Sequence, residues 1–161
     1  MINLNFDSIT GTLTLNDLPV EIETEDVFCK SQLYQKLFEQ NSIKSITPHH
    51  YLIDSVRFFD KEFEFYIRPI CYDFPFVVQL VDKHGEYYKS LNDWSARTNI
   101  NMLNDSVVEL SNWLKVSLNL VTPDLIKNEM VRWDLKWGRV SVSYETKSFN
   151  HGIYISWENI A

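Results

Sequence analysis

Basic clusters, phosphate-binding glycines and paired cysteines are what this sequence lacks. Among its 161 residues are only 4 Gly, 5 Pro and 2 Cys. Four glycines are too few for a Gly-rich phosphate loop, and no G-x-G-x-x-G or P-loop spacing occurs. No Pro/Gly-rich linker interrupts the chain, so residues 1–161 read as one domain. Cys29 and Cys71 form no C-x-x-C pair, which removes a disulfide framework and a cysteine zinc site. No apolar run approaches the roughly 20 residues that span a bilayer. The start, Met1-Ile2-Asn3-Leu4-Asn5-Phe6-Asp7, has neither the basic nor the apolar part of a signal peptide. The expectation is a soluble, cytoplasmic protein with no membrane partner. Lys and Arg number 15 against 22 Asp and Glu, a formal charge of −7. With no clustered Lys or Arg to displace counterions, nucleic acid is not an expected partner.

What is present is an ordinary globular mixture, 45 % apolar and 23 % charged. A chain of this length buries about 70 % of the surface it exposes when unfolded. Residues 2–6 and 11–15 read as short strands, with Asn16-Asp17 as a turn. Val20 and Ile22 alternate with Glu21, Glu23 and Glu25, which predicts three carboxylates on one strand face. Thr24 to Asp26 offers N-cap chemistry, and Leu33, Tyr34, Leu37 and Phe38 then recur at helical spacing up to Asn41. Residues 51–59, 62–70 and 75–81 alternate as strands, with Asp60-Lys61 and His84-Gly85 as turns.

A polar helix entry begins at Asp93. Leu103, Val107, Leu110, Leu114 and Leu118 then form one apolar stripe, the strongest helix signal in the chain. Thr122-Pro123-Asp124 predicts a further helical turn. Val131 to Trp137, Val140 to Tyr144 and Ile153 to Trp157 alternate as three strands. Gly138 marks either a tight turn or a bulge. The expected fold is α+β, a single domain with an antiparallel meander sheet packed against one or two helices. Trp133, Trp137 and Trp157 fall on the buried register and are expected in the core, whereas Trp94 follows a turn and fits either core or interface.

Catalytic chemistry finds little support in this pattern. His49 and His50 with Asp54 do not match metal-ligand spacing, so neither a metal nor another cofactor is expected. His84 and His151 lie in predicted turns. His151, near Ser148 and Asn150, lacks a fixed reaction partner or orienting group. Cys29 is flanked by Glu25 and Asp26, which oppose thiolate formation. The expectation is a protein that is not an enzyme.

The sharpest non-catalytic feature is charge. Asp7, Asp17, Glu21, Glu23, Glu25 and Asp26 supply all but one unit of the net charge. Such a face either keeps the protein soluble and guards a sheet edge or docks a basic protein. Glu21, Glu23, Glu25 and Asp26 are therefore the first candidate contact residues. Asp60, Glu62 and Glu64 are the second set.

Several segments carry a family resemblance. They are Phe6 to Asn16, Leu91-Asn92-Asp93-Trp94-Ser95, Asn112-Trp113-Leu114, Trp133 to Tyr144, and Ile153-Tyr154-Ile155-Ser156-Trp157. In that order they resemble small bacterial immunity proteins of polymorphic and contact-dependent growth inhibition toxin systems. The resemblance implies a partner, a cognate toxin domain, neutralised by occlusion, with a basic nuclease as the kind of toxin an acidic inhibitor suits. It supplies no catalytic residues. Two other readings stand beside it. One is a small enzyme with an unrecognised site in the sheet–helix crevice, using His151 or His49. The other is a structural adaptor that forms a homo-oligomer through a strand edge.

Overall fold

The computed structural model describes residues 1–69, 75–90, 93, 99–145 and 150–158. The chain opens with β1 (Ile2–Asp7), β2 (Thr12–Leu15) and β3 (Leu18–Pro19), then α1 (Glu25–Lys30) and α2 (Gln32–Glu39). There follow β4 (Lys44–Thr47), β5 (His50–Phe58), β6 (Lys61–Arg68) and β7 (Phe76–Asp82), the short α3 (Glu86–Lys89) and the long α4 (Ile100–Leu118). It ends with β8 (Leu125–Ile126), β9 (Met130–Asp134), β10 (Arg139–Tyr144) and β11 (His151–Trp157). The domain is α+β, as its alternation and helix stripe predict.

The eleven strands among the described residues join one sheet, in the order β3-β2-β1-β5-β6-β7-β11-β10-β9-β8, with β4 also paired to β5. Every pairing is antiparallel except β1 with β5. Two meanders, β5–β6–β7 and β9–β10–β11, are joined edge to edge where β7 pairs with β11. The chain leaves the sheet after β7, passes through α3 and α4, and returns at β8.

Strand registers sort the side chains into two faces, because successive residues point to opposite sides. Ile53, Phe65, Leu80, Ile153, Val142 and Val131 form one row across the sheet, all of them buried. The helices pack on this side. Phe28 of α1 meets Tyr51 and Phe76, and Trp113 of α4 meets Phe58 and Phe63. Leu103, Val107, Leu110 and Leu114 are buried as their spacing predicts. Each such side chain contributes about 1.5–3 kcal/mol through removal of apolar surface from water.

The structure departs from the sequence expectation at several points. Glu21, Glu23 and Glu25 do not share a strand face. β3 ends at Pro19, and Glu25 is the first residue of α1. Thr24 caps that helix by accepting from the Val27 N–H. Glu25 and Asp26 in the first turn then complement the positive end of its dipole. The helical stretch that follows is two helices, not one. Ser31 is extended, accepts from the Tyr34 N–H to start α2, and donates to the Phe28 carbonyl.

The described start of α4 is capped by Asn99, well beyond Asp93, while Trp94 and the rest of that entry lie outside the described residues. No helix forms at Thr122-Pro123-Asp124. There the Asp124 N–H bonds the Arg132 carbonyl, and its carboxylate accepts from the Asp134 N–H, which ties the segment to β9. Gly138 closes a tight turn with Leu135, so Trp137 leaves the strand register. It packs at the core margin with Trp157, whereas Trp133 is fully buried.

Candidate functional site

The acidic candidates fall into separate environments. Glu21 and Glu23 lie on irregular chain after β3, and Asp26 pairs with Lys30 on the exposed face of α1. Glu25 is half-buried at the foot of β5. Its Oε2 lies 2.5 Å from His49 Nδ1, and its Oε1 accepts from the Tyr51 hydroxyl at 3.0 Å. That hydroxyl also contacts Cys29 Sγ at 3.2 Å. Since the phenol has one proton and gives it to Glu25, the thiol is the donor in the second contact. Burial, reinforced by these two neighbours, pushes the Tyr51 phenol far above its usual range. The chain Cys29–Tyr51–Glu25–His49 thus ties α1 to the start of β5. Cys71 lies outside the described residues.

Asp60, Glu62 and Glu64 occupy the β5–β6 turn and β6. The Trp113 indole N–H donates to Asp60 at 2.9 Å and holds its carboxyl below the usual range. Glu62 accepts from the Ser55 hydroxyl, which lowers its pKa, and lies 3.2 Å from His84 Nε2. Glu64 is pushed upward by burial, and the Tyr66 hydroxyl donates to it at 3.4 Å. Glu62 and Glu64 alternate with Phe63 and Phe65 and so face away from the helices.

That second face carries a row of polar and aromatic side chains. Registers align Tyr66, Gln79, Tyr154, Ser141 and Arg132 in one row across β6, β7, β11, β10 and β9. Tyr66, Gln79, Tyr154 and Ser141 of this row line a groove of about 620 Å³, as do His50, Arg68, Met130, Ser143, Glu145 and Asn150; Arg132 continues the row beyond it. Burial pushes the Tyr66 phenol up to about 12 and raises the Tyr154 phenol further. Both phenols are therefore neutral donors at any ordinary pH. This is a wide, half-buried surface of hydroxyls, amides and one guanidinium group.

His151 departs furthest from its predicted place. It pairs with Tyr144 in the ladder instead of lying in the loop, and it is 4 % exposed. Its ring stacks on Tyr87, with centroids 5.3 Å apart, and its buried Nε2 has no hydrogen-bond partner. Burial lowers its pKa to about 4 against an opposing pull from Asp82. It lines a cavity of about 140 Å³ in the sheet–helix crevice.

The groove row escapes a reading that asks only which residues are core. Its members are the polar partners in each alternating strand, and only strand order places them side by side. Among the described residues, no three His, Cys, Asp or Glu side chains gather as metal ligands. No described helix is long and apolar enough to cross a membrane. No family model, curated protein or solved structure matches the chain.

Proposed function

We propose that this chain is a binding protein of the immunity type, which neutralises a cognate toxin domain by covering its working surface. The observation that carries the reading is the Tyr66–Gln79–Tyr154–Ser141–Arg132 row on the face opposite the helices. Tyr and Arg are the residues most enriched where interfaces concentrate their energy. Half-buried tyrosines also lose little conformational freedom on docking. Glu62 and Glu64 lie on the same face of β6 as Tyr66 and Arg68, so these two acids of the second set share the groove's face, whereas Asp60 is held by Trp113. The contact surface accordingly moves from the N-terminal acids to this face.

The formal charge of −7 favours a basic partner such as a nuclease domain, through faster encounter more than through tighter final contacts. Occlusion requires no reaction on the inhibitor's side.

The test is co-expression with a toxin domain encoded immediately upstream. The reading predicts restored growth and co-purification of the pair. Loss of both in Tyr66→Ala/Tyr154→Ala, with the fold intact by circular dichroism, assigns the contact to this face. A double variant that still protects fully places the contact elsewhere.

A further inference from the structure

The crevice cavity lies on the helix side of the sheet, on the face opposite the groove row. It is lined by Lys61, Asp82, Gly85, Glu86 and Tyr87 on one side and by Ser106, Glu109, Leu110 and Trp113 of α4 on the other, with His151 contributed by β11. Its volume, about 140 Å³, matches cavities of roughly 150 Å³ that admit a benzene-sized molecule.

Two properties define what fits there. The first is an unmet hydrogen bond. His151 is almost fully buried and its Nε2 is unpartnered, and leaving such a group unsatisfied is costly enough to need an explanation. Because burial holds the ring neutral, Nε2 in its unprotonated tautomer accepts a proton donor.

The second property is the sign of the walls. Asp82, Glu86 and Glu109 supply three carboxylates against the single ammonium of Lys61. Lys61 Nζ lies 3.3 Å from Asp82 and 5.5 Å above the centre of the Trp113 ring. It therefore already places one ammonium between a carboxylate and an indole, the pairing that aromatic cation sites use. Lys89, exposed and outside the lining, pairs with Glu86 at 3.8 Å, so among the described residues Glu109 is the lining carboxylate with no basic partner.

We infer that this cavity is a binding site for a small primary amine of benzylamine size, its ammonium donating to His151 Nε2 and compensating the carboxylate of Glu109. The aromatic walls of Tyr87 and Trp113, with Leu110, take the apolar body of the ligand. An anion of the same shape meets like charge, and a neutral alcohol leaves the surplus uncompensated.

Benzylamine, benzyl alcohol and benzoate provide that comparison at nearly constant shape. Each is titrated into the full chain while the assigned His151 ring carbon–proton resonance and tryptophan fluorescence are followed. The expected result is a saturable His151 shift with benzylamine, at least tenfold tighter than with benzyl alcohol, and no saturation with benzoate. Glu109→Gln, an exposed change on α4, should weaken benzylamine severalfold and leave benzyl alcohol unchanged. No saturable shift with benzylamine means that the cavity holds water alone and overturns the inference. Equal affinity for amine and alcohol, or benzylamine affinity unmoved by Glu109→Gln, also overturns it.

Discussion

The indole of Trp137 occupies the space that a side chain at Gly11 would need: a Cβ there would lie 2.4 Å from the ring. Gly11 has φ +76° and closes the β1–β2 turn. The Trp157 indole N–H donates to its carbonyl at 2.7 Å, and the Trp137 indole donates to Ser8 at 2.8 Å. Two tryptophans from the C-terminal meander thus clasp the N-terminal hairpin, which the strand order places several strands away. Gly11→Ala should combine left-handed backbone strain with overpacking, at a cost of about 2–4 kcal/mol. For a domain of this size that is a fall in Tm of roughly 5–15 °C. Gly85→Ala, whose nearest neighbours lie at 3.4 Å, should cost less than about 1 kcal/mol. Thermal melts of the two variants that coincide would rule out the clasp.

His151 should make stability depend on pH in a defined window. Its pKa is about 4 in the folded protein and about 6.5 in an unfolded chain. Between those values the unfolded state takes up a proton that the folded state refuses. Stability is therefore full above pH 6.5 and falls as pH drops towards 4, by up to about 3 kcal/mol. Asp60 and Glu62, with lowered pKa values, add their own loss in acid, and Glu64, with a raised one, opposes it. Those contributions are shared with His151→Phe, so the difference between the two denaturation curves isolates the histidine. Curves that stay parallel from pH 7 to pH 4.5 would show that His151 is not held neutral.

His151 also shows where sequence reading ends. Asn150 and Gly152 beside it are turn residues, and a turn histidine is the natural local reading. The ladder overrides it, because the Tyr144–His151 pair is fixed by register with β10, which propensity does not report. Gly152 faces the Leu80 carbonyl so closely that a Cβ would lie 2.5 Å from it, which marks close strand approach instead of a turn. The meanders and the α4 stripe were legible because strict period-2 and 3.6 alternation leaves one packing solution. The groove row was not, since Tyr66 and Tyr154 are 88 positions apart and become near neighbours only through the β7–β11 joint.

The Cys29–Tyr51–Glu25–His49 chain should act as a structural tie. Tyr51→Phe removes the hydroxyl that Cys29 and Glu25 share, and should cost about 1–3 kcal/mol. His49→Ala should cost less, since its side chain is 45 % exposed and surface pairs contribute about 0–1 kcal/mol. Urea denaturation of both variants tests the order, and a larger loss from His49→Ala would contradict it.

Charge and groove should separate in kinetics. Glu21→Lys/Glu23→Lys raises the net charge by four units without touching the groove. It should slow association with a basic partner several-fold at low salt and leave dissociation unchanged. Removing Tyr66 and Tyr154 should do the reverse, raising the dissociation rate with little change in association. Surface plasmon resonance at two salt concentrations separates the effects. A salt-independent association rate in the wild type would remove electrostatic steering from the account.

The most direct test of partner binding through the second sheet face is calorimetric titration of the toxin domain encoded upstream into the wild type and Tyr66→Ala/Tyr154→Ala. The account predicts a tight, saturable complex with the wild type and a loss of about 100-fold or more in the double variant, about 2.7 kcal/mol. Equal affinity in the two proteins, or no heat of binding with the wild type, would contradict it.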